Sequence, residues 1–466
     1  MRALIGKTAP GLALGVVCAI ASAADGDLDT TFGTNGFRLT GLTDGISNLP
    51  AGMAMQPDGK MLLCNGEGVG AYDFFVARFT ADGDLDTSFS FDGKTTIDFG
   101  GNNDNCQGIA VQADGKIVVA GPTQPGTSGN VDFAVARLNA DGTLDTATFG
   151  AGTGKSVINF DLGGTENDYA AAIAIKPDGK IVVAGFAATE LDGSDFAIVQ
   201  LNADGTRDTS FNLTGRVTIG FNLAASTSKD DTATRVAIDA QGRIVVAGYV
   251  DNGTPGGTDF AVARVLANGQ LDPDFSADGR SVIAFDLGGA GGSNSDGAYS
   301  LALQRDGRIV LGGITDSSPT SDLNQDMAIV RLLPDGTLDT SFGIGGRTTI
   351  VFDLAANGQD LALGLAEQSN GRLVVAGAAV NPTTSGILAV AARLMPNGTP
   401  DASFGTLGKK TYDFGLTAPS GQLFNGVALQ DNQIVFVGSL NVIDSAHVDH
   451  FAARVLNDLI FADGFD

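Results

Sequence analysis

Asp114-Gly115-Lys116-Ile117-Val118-Val119-Ala120-Gly121 is the stretch that decides the fold. The Asp-Gly pair supplies the positive φ values of a tight hairpin, and the apolar run behind it reads as a strand covered on both faces. The same turn glycine recurs at Gly59, Gly179, Gly242, Gly307 and Gly371, with Asn432 in its place in a seventh copy. Including Gly115, the intervals are 56, 64, 63, 65, 64 and 61 residues. A fixed period of this size means stacked supersecondary units, none of which can bury its apolar face alone.

One copy contains the material for four strands. Gly108 to Gln112 is a short first strand, and Ile117 to Ala120 follows the turn. After a Gly/Pro/Thr/Ser loop, Asp132-Phe133-Ala134-Val135-Ala136-Arg137-Leu138 alternates as a third strand, with small residues on one face to let neighbouring copies approach. A second Asp-Gly turn at Asp141-Gly142 leads to Gly154–Phe160, a more polar and outermost strand. The predicted fold is all-β: a seven-bladed β-propeller of four-stranded antiparallel blades. Its ends are expected to share a blade. Gly36 to Thr40 is a fourth strand without a preceding third, and the last copy offers only Gly426–Gln430, Ile434–Gly438 and Phe451–Leu456. Pairing the first with the last removes two exposed edges.

The repeat resembles the delta-60 family of bacterial β-propeller domains, through the Asp-Gly-Lys-Ile-Val-Val-Ala-Gly hairpin, the Asp-Phe-Ala-Val-Ala-Arg-Leu strand and the Leu-Asp-Thr-x-Phe-Gly turn. The resemblance covers Ala24 to Leu456. Its strand order is also similar to propellers of the NHL type, in which the first strand of each blade lines the central channel. The resemblance implies an exported propeller and brings no catalytic signature with it.

Composition narrows the partners. The chain of 466 residues carries a net charge of −26, with a pI near 4.2. Such a surface repels phosphate backbones and anionic lipid heads, so neither nucleic acid nor a membrane surface is expected as partner. Residues 1–23 read as a signal peptide: Arg2 and Lys7 are basic, Gly11 to Ile20 apolar, and Ala21-Ser22-Ala23 a small-x-small cleavage site. Export to the periplasm, cell surface or medium is expected, and no later run is long enough to insert in a membrane. Residues 24–456 form the repeat domain, expected to be monomeric. Residues 457–466 are an acidic tail, read either as a sorting signal or as packing against the closing blade.

Two sets of polar residues recur. Arg78, Arg137, Arg264, Arg331, Arg393 and Arg454 hold one position, with Gln200 as the departure; Asp29, Asp86, Asp145, Asp208, Asp272, Asp339 and Asp401 hold another. A residue repeated in every copy serves every copy, so a pairing or turn-capping role is expected. The second set is Asp104, Asp168, Asp231, Asp296 and Asp360, each just before the channel-side strand, with Asn48 and Gly421 in the other two copies. In a ring these line one channel mouth near Asp73, Asp132, Asp195, Asp259, Asp326 and Asp449. Converging carboxylates suit Ca²⁺ or another hard cation; equally, each accepts backbone N–H bonds between blades.

Other chemistry is sparse. Asp82-Gly83-Asp84-Leu85-Asp86 opens like an EF-hand loop but has Thr87 and Gly93 where that loop needs Gly and Glu. The two histidines, His447 and His450, lie in one loop with only Asp449 beside them. Cys64 and Cys106 fall in neighbouring copies, and their pairing is left open because spacing does not fix the Cα separation a disulfide requires. The one cofactor candidate is Ca²⁺ at the channel-mouth aspartates. The reading is a non-enzymatic module that binds a protein, glycan or small ligand. The alternatives are a metal-dependent hydrolase or lactonase acting at the channel mouth, and a structural envelope component.

Overall fold

The computed structural model describes residues 24–457 apart from 40–51, 69–70, 126–128, 164–166, 190–192, 222, 224–228, 255–256, 288–293, 319–323, 353, 355–357, 382–385, 415–418, 431–432 and 443–447. The signal-like segment and all of the tail beyond Asn457 therefore lie outside the described residues.

The fold is all-β and propeller-like, built of antiparallel sheets. β1 (Phe37–Leu39) stands first. Then come β2 (Gly52–Met55), β3 (Met61–Glu67), β4 (Asp73–Phe79) and β5 (Lys94–Ile97), hydrogen-bonded in that order. The next set is β6 (Gly101–Asp104) and β7 (Gly108–Val111), both on β8 (Ile117–Pro125), then β9 (Asp132–Leu138) and β10 (Lys155–Ile158). β11 (Asp168–Ile175), β12 (Ile181–Thr189), β13 (Gly193–Leu201) and β14 (Arg216–Ile219) repeat the pattern, as do β15 (Lys229–Ile238), β16 (Ile244–Asp251), β17 (Thr258–Val265) and β18 (Arg280–Ile283). So do β19 (Asp296–Leu303), β20 (Ile309–Asp316), β21 (Gln325–Leu332) and β22 (Arg347–Ile350), and then β23 (Asp360–Glu367), β24 (Leu373–Asn381), β25 (Gly386–Leu394) and β26 (Lys409–Tyr412). The last three are β27 (Pro419–Gln430), β28 (Gln433–Val442) and β29 (Val448–Val455). β1 pairs antiparallel with β29, in the register Phe37↔Ala453, Arg38↔Ala452 and Leu39↔Phe451.

The sequence dictates this locally. Each Asp-Gly turn places its glycine at positive φ, +82° at Gly115 and +89° at Gly142. Gly142 has a second reason to be glycine: a Cβ there would lie 2.9 Å from the Phe89 ring of the preceding set. Phe89 is fully buried beneath that turn, as Phe149 is beneath Gly205. The core is a series of layers between adjacent sheets. Val118, Ala120, Phe133 and Val135 of one set pack with Ile181, Val183, Ala197 and Val199 of the next. Small side chains on the third strands allow that approach, as their alternation suggested.

Several boundaries differ from the sequence reading: the closing strands begin at Pro419, Gln433 and Val448 rather than Gly426, Ile434 and Phe451, and two differences fall in the second copy. β8 runs on to Pro125, through the stretch read as loop. The outer strand is four residues, Lys155–Ile158, rather than reaching Phe160. Phe160 instead turns inward against Phe133, ring centroids 5.2 Å apart.

Candidate functional site

The recurring Arg–Asp pair is a staple. Arg137 Nε donates to Asp145 Oδ2 at 2.9 Å, and the same bond joins Arg78 to Asp86 at 2.8 Å, Arg264 to Asp272 at 2.7 Å, Arg331 to Asp339 at 2.8 Å and Arg393 to Asp401 at 2.6 Å. Arg454 makes it to Asp29 at 2.9 Å, across the two ends of the chain. Each guanidinium also lies over the Phe of its turn, 4.7 Å from the ring centroid for Arg137 and Phe149. A further N–H reaches a carbonyl of the next set, Ala140 from Arg78, Ala203 from Arg137 and Pro334 from Arg264. Arg454 does the same to Ala81 in the first set. Where Gln200 replaces arginine, its amide donates to Asp208 at 2.7 Å and Lys176 Nζ donates to Gln200 Oε1, so a cation is still delivered to the corner. Burial opposes ionisation of Asp339, but bonds from Ser341 and the Arg331 charge outweigh it and hold its pKa down at about 2.

One oxygen of each aspartate in the second set bonds to backbone. Asp104, Asp168, Asp231, Asp296 and Asp360 are all buried. Each accepts the backbone N–H of the phenylalanine that follows the preceding outer strand: Phe99 at 2.7 Å, Phe160 at 2.6 Å, Phe221 at 2.7 Å, Phe285 at 2.7 Å and Phe352 at 2.6 Å. Asp104 takes a second bond, from the Thr123 hydroxyl at 2.5 Å. The set thus ties one blade to the next, one of its two expected roles. Burial, reinforced by neighbouring carboxylates, raises Asp168 to about 6, Asp231 to about 7 and Asp296 to about 6. One acidic cluster stands out: carboxylate oxygens of Asp73, Asp98 and Asp104 lie within 4.8 Å of one another. Burial raises the pKa of Asp73, with Asp98 and Asp104 adding to it.

The pairing left open in the sequence is settled by the packing, and one histidine reading is corrected. Cys64 and Cys106 form a disulfide with Cα atoms 5.7 Å apart. His450 is not a loop residue; it lies buried in β29, its Nε2 2.9 Å from Asn65 Nδ2. Burial pushes it down to about 4, so it is neutral at ordinary pH. His447 lies outside the described residues.

The concave site is central. Residues of all the innermost strands line one cavity of about 280 Å³, among them Met53, Ile109, Ile173, Arg235, Leu301, Leu365 and Val427. Among the described residues its one charged lining residue is Arg235, a half-buried side chain that the sequence reading passed over. Arg235 pairs opposite Ala247, the rung where the other copies carry Gly52, Gly108, Ala172, Ser300, Gly364 and Gly426. The signal was therefore present: one arginine in a column of the smallest side chains. A register shift between Ala233 and Arg235 hides it from simple strand alternation.

With this geometry in place, the chain can be set against known proteins. Six stretches match a family of β-propeller repeats. They are residues 56–89, 112–147, 176–211, 241–275, 304–342 and 368–404, and the family is described as a β-propeller domain of unknown function, DUF5122. Among curated proteins, none matches the sequence. Among solved structures, a polysaccharide lyase, Uly1, is similar over 89% of this chain and 91% of its own, with a TM-score of 0.51 at 10% identity. A protein of unknown function from Dyadobacter fermentans is similar over 90% of this chain and all 100% of its own, with a TM-score of 0.43 at 12% identity. The propeller domain of the Trilobed protease from Pyrococcus furiosus gives 0.41 at 9% identity, over 88% and 98% of the two chains. At such identity the likeness to the lyase speaks for the fold alone.

Proposed function

We propose that the protein is an exported, closed seven-bladed propeller of the delta-60 kind that holds a partner without transforming it. The partner class is a protein, glycan or small molecule. One observation carries the reading: every innermost strand contributes to a single cavity, while one oxygen of each recurring aspartate is engaged by a backbone N–H group. A cavity at a pseudo-symmetry axis, walled mainly by apolar side chains with a few polar groups, is what ligand sites in such folds use. The Cys64–Cys106 bond supports the exported location, since disulfides persist in oxidising compartments. The charge of −26 argues against nucleic acid and anionic membranes. The test is a glycan, peptide and small-molecule binding screen on protein secreted from its own leader, with products analysed in parallel. Saturable binding with the ligand recovered intact is expected; conversion of the ligand would overturn the reading.

A metal-dependent hydrolase is the second reading, favoured by the proximity of Asp73, Asp98 and Asp104. In it these carboxylates hold Ca²⁺. A ligand of the folded state raises the melting temperature by mass action. The second reading therefore requires a Ca²⁺-dependent gain that EDTA reverses and that Asp73→Asn with Asp98→Asn removes.

A further inference from the structure

Arg235 is placed against the economics of the fold. A guanidinium is charged at any ordinary pH and offers five N–H donors. Among the described residues one of these has a partner, the Thr234 carbonyl at 2.8 Å. Among the described residues no carboxylate pairs with it, although the chain has 53 acidic residues against 27 basic ones. Desolvation lowers its pKa to about 10, so the charge is held at a cost.

The position makes this stranger. The small side chains at the same rung let inner strands close up: a Cβ on Gly108 would lie 3.0 Å from Ile173 Cγ2, and one on Gly364 3.1 Å from Gly426 Cα. Glycine, alanine or serine satisfies the packing there, and arginine is not needed for it. Around Arg235 the cavity wall is mostly apolar, with Met53, Ile109, Ile173 and Leu365. Asn425 also lines it, and its buried Oδ1 has no hydrogen-bond partner among the described residues. Rotation of that amide would present Nδ2 as a donor instead, since the two orientations fill the same space.

We propose that the central cavity binds a small organic carboxylate, its anionic end held by the Arg235 guanidinium and its apolar body against Met53, Ile109, Ile173 and Leu365. The geometry of the fork suits a carboxylate, which accepts two parallel N–H bonds. A volume of about 280 Å³ admits a molecule of several carbons and excludes polymers from the site itself. The acidic exterior disfavours polyanions, leaving monoanions that the half-buried Arg235 cation can attract. The proposal rests on the binding reading above and narrows it to one ligand chemistry.

The test is calorimetric titration of the full chain with three probes: hexanoate, hexanamide and inorganic phosphate. Hexanoate is expected to bind, with hexanamide and phosphate each weaker by about tenfold or more. Arg235→Met, which keeps the length and apolar stem, is expected to lose hexanoate binding and to melt at a higher temperature than the parent, because an unpaired desolvated charge has been removed. Arg235→Lys keeps the charge without the fork and serves if Arg235→Met does not fold; hexanoate should weaken severalfold while hexanamide stays unchanged. No heat with hexanoate at about 10 mM, equal binding of hexanamide or phosphate, hexanoate binding as tight as the parent's in either variant, or a lowered melting temperature in Arg235→Met would each overturn the proposal. Failure here would leave the glycan and peptide screen untouched, so the two readings fall separately.

Discussion

Removing the Cys64–Cys106 bond is expected to lower stability by an amount the structure allows to be worked out. The cysteines are 42 residues apart, and both are fully buried between adjacent blades. Cross-linking a loop of that length removes denatured-state entropy equivalent to about 4 kcal/mol at room temperature. The unfolding entropy of a chain this size is roughly 0.9 kcal/mol/K if it unfolds as one unit, so the loss corresponds to about 4 °C. Scanning calorimetry of the Cys64→Ala, Cys106→Ala double variant against the parent reads this directly; the alanines avoid stray thiols and leave only a small void. Because neither sulfur reaches solvent, a mild reductant should not open the bond in the folded state, and thiol titration should read zero until denaturant is added. A variant that melts within about 1 °C of the parent, or thiols that titrate in the native protein, would refute the reasoning.

Further outcomes follow from the polar network. Arg393 is fully buried between Asp401 and Asp25, so Arg393→Ala should cost about 3–5 kcal/mol in denaturant unfolding; Arg38→Ala, whose pair with Asp84 is exposed, should cost under about 1 kcal/mol. Burial raises the folded pKa values of Asp168, Asp231 and Asp296 to about 6, 7 and 6 from the ordinary aspartate value of 3.8, so the folded form holds their protons more tightly. Their contribution is fully present below pH 3.8 and is lost as pH rises to about 7; the melting temperature should fall from pH 5 to pH 8, and the triple Asp→Asn variant should flatten that slope. Replacing Asp231 alone by Asn should cost about 1 kcal/mol, the worth of one local hydrogen bond. Gly142→Ala should destabilise through both its +89° φ and the Phe89 ring 2.9 Å from the new methyl group, seen as a lowered denaturation midpoint.

The blade was legible in the sequence because its signals are local. An Asp-Gly turn such as Asp114-Gly115 carries its own backbone geometry, and Ile117–Ala120 behind it can only be a covered strand. The Arg137–Asp145 bond was legible because eight residues and one turn bring the two to one corner. Signals that depend on a neighbouring blade were harder to read. The partners of Asp168 and Asp231 are backbone groups of Phe160 and Phe221, and a backbone N–H leaves no mark in a sequence. Likewise, Cys64 faces Cys106 only through inter-blade packing. The reach of β8 to Pro125 was hidden because its composition is that of a loop while its pairing with β9 and β6 is that of a strand. Arg235 needed the copies aligned on the rung opposite Ala247, beyond the register shift.

In the proposed ring the two ends of the chain build one blade, and the central cavity depends on that closure. A double-mutant cycle between Asp29 and Arg454 tests this most directly. Their side chains meet at 2.9 Å although they lie 425 residues apart, and Asp29 is buried. Asp29→Asn and Arg454→Met, singly and together, are compared by denaturant unfolding. Closure predicts a coupling energy of about 1–3 kcal/mol, as for residues in one buried network. Additive effects within about 0.3 kcal/mol would contradict closure and, with it, the cavity.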